Sequence, residues 1–170
     1  MNILSDHNVP NSLRINSKCK YFVEVNEISE FKNLYSFINE QKKPIFILGE
    51  GTNIIPTDYF DGIVIKPKFN HIKFDNIKST VSVGSSVNWH YFVEKMIANN
   101  IYGYENLSLI PGSVGACPIQ NIGAYGQDVS ELILKIDCFD YKNNKLISLS
   151  NSECGFSYRN SSLRDKPYII

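Results

Sequence analysis

The chain has 170 residues, 43% of them hydrophobic, 12% aromatic and 20% charged, and its 17 Lys plus Arg balance its 17 Asp plus Glu. That length suits one domain or two small lobes, and the ordinary apolar fraction excludes a disordered chain or a collagen-like repeat. Balanced charge with no basic run argues against a protein built to coat nucleic acid or an anionic membrane.

The opening residues, Met1 to His7, lack the charged-then-apolar layout of a signal peptide. No apolar stretch approaches the roughly 20 residues needed to cross a bilayer. The cysteines, Cys19, Cys117, Cys138 and Cys154, form no C-x-x-C pair. They read as scattered thiols in a reducing cytoplasm rather than a disulfide frame.

Within the first segment, Arg14 to Val25, Tyr21-Phe22-Val23-Glu24-Val25 reads as a short strand. Asn26 is placed to cap a helix over roughly 27–40, because acids follow it and Ile28, Phe31, Leu34, Tyr35 and Ile38 recur at helical spacing. Pro44-Ile45-Phe46-Ile47-Leu48 is a continuous apolar run of strand length, expected to be buried on both faces. A glycine-rich turn and a further strand, Gly62-Ile63-Val64-Ile65, complete a β-α-β-β order. This predicts a small mixed lobe over 1–70.

A second lobe, 71–170, is expected to be mostly antiparallel sheet plus helices. Ile72-Lys73-Phe74 and Thr80-Val81-Ser82-Val83-Gly84 are strand candidates. Ser86 can cap a helix over 87–98, where Trp89, Phe92, Val93, Met96 and Ile97 form one apolar stripe, stopped by Asn99-Asn100 and Gly103. Such a stripe reads as core. Further strands are expected at 132–139, 145–149, 156–159 and 167–170, the first two joined by a turn at Lys142-Asn143-Asn144. The last residues, Lys166 to Ile170, enter an apolar strand and stop, which predicts an interrupted chain.

Two glycine-rich loops carry the chemistry. Strand 44–48 runs into Gly49-Glu50-Gly51-Thr52-Asn53. Alternate glycines permit unusual φ values and bring main-chain N–H groups close to a ligand, forming an anion-binding concavity. It is not a dinucleotide fingerprint of the G-x-G-x-x-G type: Ile54 stands at the third glycine and Pro56 where a helix should begin. A plain tight turn is the simpler alternative.

The second loop, within 104–128, contains Ile110-Pro111-Gly112-Ser113-Val114-Gly115-Ala116-Cys117-Pro118-Ile119-Gln120-Asn121-Ile122-Gly123-Ala124-Tyr125-Gly126. It is too apolar for a solvated loop and too rich in Gly and Pro for a regular element. No G-x-x-x-x-G-K motif is present. A buried irregular backbone must satisfy its polar groups. A large flat ligand packed on the Ile and Ala side chains does so, and a structural Ω-loop is the alternative. One polar and one apolar loop together suggest an extended dinucleotide such as FAD.

Five ordered strings sharpen this reading: Ile47-Leu48-Gly49-Glu50-Gly51-Thr52-Asn53, Asn88-Trp89-His90, Glu105 to Gly112, Pro118 to Gly126, and Phe156-Ser157-Tyr158-Arg159-Asn160-Ser161. Together, across roughly Asn11 to Ile170, the chain resembles the UDP-N-acetylenolpyruvoylglucosamine reductases (UDP-N-acetylmuramate dehydrogenases). The resemblance implies an α+β, two-lobed FAD-binding domain of the vanillyl-alcohol-oxidase (PCMH) type. It implies that Gly49, Glu50, Gly51, Thr52 and Asn53 hold the diphosphate. Ile110, Pro111, Gly112, Ser113, Gly115, Ala116, Pro118, Ile119, Ile122 and Gly123 would wrap the diphosphate and isoalloxazine.

The implied reaction is a cytoplasmic step of peptidoglycan synthesis, in which NADPH reduces FAD and FAD reduces UDP-N-acetylglucosamine enolpyruvate. Arg159 matches the arginine of the family's Tyr-Arg-Asp/Asn-Ser motif, which polarises the enolpyruvyl carboxylate. A guanidinium suits that role because it is permanently charged and bidentate. Tyr125 and Tyr158 would flank the substrate, with core packing as the alternative. Asn11-Ser12-Leu13-Arg14 keeps the family's Asn-Thr-Phe pattern only loosely.

The family's proton-donating serine or cysteine and its second catalytic carboxylate lie in a C-terminal substrate domain. No residue in 1–170 takes those roles. A non-catalytic flavin- or nucleotide-binding module, and an inactive truncated fragment, are the competing readings.

His7, His71 and His90 have no carboxylate or cysteine at ligand spacing, so no metal site is expected. His90 falls on the polar side of its helix and reads as a surface residue. Glu105 reads as a carboxylate serving backbone donors at the loop's start. Nothing beside Cys117 argues for covalent chemistry.

Overall fold

The computed structural model describes residues 1–170. Strand β1 (Asn2–Asn8) pairs antiparallel with β2 (Lys18–Val25). Helix α1 (Phe31–Gln41) leads to β3 (Ile45–Ile47) and β4 (Tyr59–Pro67), and the four strands form one sheet in the order β1-β2-β4-β3. Strand β4 lies parallel to both β2 and β3. Its Gly62 to Ile65 stretch is wholly buried, as expected of a strand with neighbours on each side.

The apolar run at 44–48 behaves otherwise. Strand β3 is three residues long and lies at the sheet edge, and Phe46 is 38% exposed. An apolar run alone does not distinguish an edge from a centre. Strand β1 has no apolar alternation to announce it; its pairing with β2 defines it.

Helix α1 buries Phe31, Leu34 and Ile38 at helical spacing. Ile28 belongs to a preceding 3₁₀ turn and is exposed. The cap is Glu27 rather than Asn26, and the Glu30 carboxylate accepts the N–H groups of both residues. Val23, Val25, Leu34, Ile63 and Ile65 are inaccessible, and Phe139 and Ile169 complete their core. Phe31 stacks on Phe139 with centroids 4.3 Å apart.

After β4, the hairpin of β5 (Ile72–Asp75) and β6 (Thr80–Val83) leads to α2 (Trp89–Ala98). Trp89, Phe92, Val93 and Met96 pack with Leu107, Ile122 and Val129 in a second core. Ser86 does not cap α2; its hydroxyl donates to the Pro67 carbonyl. Asn88 has the extended backbone of a cap, and its side chain accepts the Tyr91 N–H at 3.0 Å. Asn88→Ala is therefore expected to lower stability by about 1 kcal/mol, the usual worth of such a cap, read from a urea melt followed by Trp89 fluorescence.

The remainder comprises a small hairpin, β7 (Gly123–Ala124) with β8 (Gln127–Asp128), and a sheet in the order β10-β9-β11. These are β9 (Lys135–Asp140), β10 (Lys145–Ser150) and β11 (Tyr168–Ile169). The strand expected at 156–159 is instead a tight turn. Ser157 and Asn160 exchange main-chain hydrogen bonds of 2.9 and 3.1 Å, and Arg159 takes a left-handed φ of 55°. Exposed Ser157, Tyr158 and Arg159 and a reversed backbone leave nothing for a strand to bury.

Candidate functional site

The loop after β3 folds against the N-terminal segment. Gly51 has φ 70°, and a Cβ there would lie 2.3 Å from the Pro10 carbonyl oxygen, so only glycine fits. Its own carbonyl accepts the Ser12 N–H at 3.0 Å. Asn11 holds that segment in shape, its amide bonding Val9 and Ile15 main-chain groups. Its retention in a loosened Asn-Ser-Leu-Arg motif thus has a structural reason.

The two glycine loops meet. Thr52 Oγ1 donates to the Pro111 carbonyl at 3.3 Å, and Asn53 Nδ2 donates to Gln120 Oε1 at 2.8 Å. A Cβ on Gly49 would touch Ser113 Oγ at 3.0 Å and Ala116 Cβ at 3.3 Å. The Glu50 carboxylate accepts from Asn88 Nδ2 at 3.2 Å. Gly49 to Asn53 and Ile110 to Ala116 are thereby brought to one place, as the sequence predicts.

At this junction the main-chain N–H groups of Gly49, Glu50, Gly51, Thr52 and Asn53 donate to no acceptor within the chain, and neither do those of Ile110, Gly112 and Ser113. Unpaired donors on converging loops suit a poly-anion, and diphosphate is the anion of FAD. Lys66 adds charge from below: its ammonium donates to the Gly49 carbonyl, and burial lowers its pKa, helped by Lys68 and opposed by Glu50 and Glu24. The cradle fits the diphosphate of FAD.

Beyond Ala116 the loop turns into the protein. Cys117 and Pro118 are buried, and burial pushes the Cys117 thiol far up, away from nucleophilic use. Ile122 packs with the α2 core at 3% exposure, its N–H donating to Cys117 and its carbonyl accepting from Val129. This side chain thus supports the loop from within. Ile119 is half-buried among Leu163 and its neighbours, and Gly123 begins β7.

Arg159, Tyr125 and Tyr158 line one cleft of about 330 Å³ with Gly123, Gln127 and Asp128. Tyr125 and Tyr158 are 90% and 91% exposed, so neither packs in the core. Buried Asn121 ties the cleft together, donating to the Ser157 carbonyl and accepting the Ser130 N–H, both at 3.1 Å. Ser161 adds a bond to the Ile119 carbonyl at 2.9 Å. The Arg159 turn is thus fastened to the second glycine loop.

Sequence reasoning missed His90, Lys66 and Asn121. His90 is no idle surface residue: its Nδ1 accepts the Leu109 N–H at 3.2 Å. Its place in Asn88-Trp89-His90 was the available signal. Glu105 does serve a backbone donor, the Gly103 N–H at 2.6 Å. No helix is long and apolar enough to cross a membrane.

Comparison with known proteins agrees with this geometry. A family model described as a FAD binding domain matches residues 19–150. The UDP-N-acetylenolpyruvoylglucosamine reductase of Pseudoalteromonas translucida is 38% identical over 149 residues, covering 86% of this chain and 43% of that protein. The enzyme of the same name from a Shewanella species is 36% identical over 165 residues, covering 94% of this chain and 48% of that protein. The crystal structure of UDP-N-acetylenolpyruvylglucosamine reductase from Thermus caldophilus aligns with a TM-score of 0.63 at 21% identity, over 85% of this chain and 50% of that one. The shared fold is the two-lobed α+β FAD-binding fold of the vanillyl-alcohol-oxidase type. The chain spans about half the length of the curated relatives it matches.

Proposed function

We propose that this chain, which belongs to the family of FAD binding domains, is the FAD-holding half of a UDP-N-acetylenolpyruvoylglucosamine reductase. The observation that carries the reading is the set of unpaired N–H donors on Gly49 to Asn53, Ile110, Gly112 and Ser113. These groups would hold the diphosphate, with the Lys66 ammonium beneath them. Gly115 and Ala116 continue the second loop, and Gly115 abuts Ser85 so closely that a Cβ would lie 2.4 Å from that residue's Cβ. Bound FAD supplies a ring that accepts a hydride from NADPH and passes one to the substrate.

The residues of the 330 Å³ cleft then take the substrate side. Arg159 would grip the carboxylate of UDP-N-acetylglucosamine enolpyruvate, and its fixed positive charge favours the negative charge that develops there as the enol ether is reduced. The Tyr125 and Tyr158 hydroxyls, both free in the cleft, would orient the same molecule. The whole protein would act in the cytoplasm, in peptidoglycan synthesis, and so in cell-wall growth and division. The proton donor and a second carboxylate would come from a C-terminal substrate domain, so turnover belongs to the whole protein and FAD binding to this chain.

The test is direct. Purified 170-residue chain mixed with FAD and passed over a desalting column is expected to keep a flavin absorbance band. A folded chain that emerges without flavin overturns the assignment.

A further inference from the structure

We propose that His90 is a positioning residue for the flavin loop, holding the segment Leu107–Gly112 so that the Ile110 and Gly112 N–H groups face FAD. The inference rests on the FAD reading above and goes beyond it, since it assigns a role to a side chain outside both glycine loops. The first turn of α2 grips this segment at three points. The Trp89 indole N–H donates to the Leu107 carbonyl at 2.7 Å, and the Trp89 main-chain N–H donates to the Gly112 carbonyl at 2.9 Å. Between those anchors, His90 Nδ1 accepts the Leu109 N–H at 3.2 Å.

The middle point matters because Leu109 is strained. It adopts a left-handed φ of 62°, which an L side chain resists, and at 75% exposure its side chain gains little burial in return. The hydrogen bond to His90 is the one its N–H makes within the chain. Releasing it frees the chain to rotate about Leu109 and to turn the adjacent Ile110 N–H away. The geometry also fixes the imidazole's tautomer: Nδ1 must be bare to accept, so the ring proton sits on Nε2, 3.7 Å from the Glu94 carboxylate one helical turn along.

The role asks for an acceptor at the Nδ1 position, and asparagine places its Oδ1 at the equivalent atom. The experiment compares the chain with His90→Leu and His90→Asn, measuring FAD affinity by fluorescence titration and Leu109 amide exchange in the FAD-free chain. His90→Leu is expected to weaken FAD binding roughly three- to tenfold, the worth of one hydrogen bond, and to speed Leu109 exchange by a similar factor. His90→Asn is expected to restore both toward wild type.

A urea melt separates these effects from unfolding; the His90 side chain is 36% exposed, so neither change disturbs a core. If the unmodified chain binds FAD and His90→Leu binds it equally well, the proposal fails. It also fails if His90→Asn is as weak as His90→Leu. If the unmodified chain binds no FAD, the cofactor assignment falls instead, and equal Leu109 exchange in wild type and His90→Leu would then remove the holding role as well.

Discussion

Gly51→Val is expected to weaken FAD binding by about a hundredfold or more. Two costs combine. An L-residue at φ 70° pays a left-handed penalty of about 1–2 kcal/mol. The new Cβ would also lie 2.3 Å from the Pro10 oxygen and 2.9 Å from Asn11 Cα, both backbone atoms that cannot swing aside as a side-chain tip would. Overpacking of this kind costs roughly 1–3 kcal/mol, and the two effects together reach about 3 kcal/mol. At 1.4 kcal/mol per tenfold that is about two orders of magnitude. The loop relieves the clash by moving off the 10–12 segment, which carries away the N–H donors of Gly49 to Asn53. Gly126→Ala is the control: φ is 82° but nothing lies within 4 Å of a Cβ, so only the left-handed cost applies, at a residue that lines the Arg159 cleft and not the unpaired-donor segments Gly49–Asn53 and Ile110–Ser113. A folded Gly51→Val chain whose FAD affinity stays within threefold of wild type would contradict the account, with titration and melt run on the same samples.

What the sequence made legible follows from how local each signal is. The glycine loops announced themselves because a left-handed or crowded backbone demands glycine, and that demand is written residue by residue. The α2 stripe was equally plain, since Trp89, Phe92, Val93 and Met96 face one core. The cap of α2 was misassigned because Ser86 and Asn88 both suit the position, and only the Tyr91 N–H decides between them. The 44–48 run was placed on the wrong kind of strand because strand order is a long-range property: β3 became an edge when β4 inserted beside β2. Residues 156–159 misled for a different reason, since their apolar and aromatic content mimics a strand while Arg159 reverses the chain. Lys66 and Asn121 acquire their roles only from partners at Gly49, Ser157 and Ser130: nothing in its immediate sequence marks Lys66, and Asn121 stands inside the second glycine loop with nothing there to name its partners.

That same turn carries the other large effect. In a protein of the full length of the curated relatives, of which this chain spans about half, Arg159→Ala is expected to lower kcat by about 10²–10³, the usual cost of removing a donor that stabilises developing negative charge. FAD affinity is expected to change by less than about threefold, because the guanidinium makes no hydrogen bond or ion pair to either glycine loop. The turn itself should survive: its shape rests on the reciprocal Ser157–Asn160 bonds and on Asn121 and Ser161, none of which uses the Arg159 side chain. Arg159→Lys separates charge from geometry. Lysine keeps the charge but cannot meet a carboxylate with two parallel donors, so its turnover should fall between wild type and Arg159→Ala. Steady-state rates with each variant loaded to the same FAD content decide the matter. An Arg159→Ala enzyme with undiminished kcat would remove the carboxylate role from Arg159 and leave the cleft beside Tyr125 and Tyr158 without its cation.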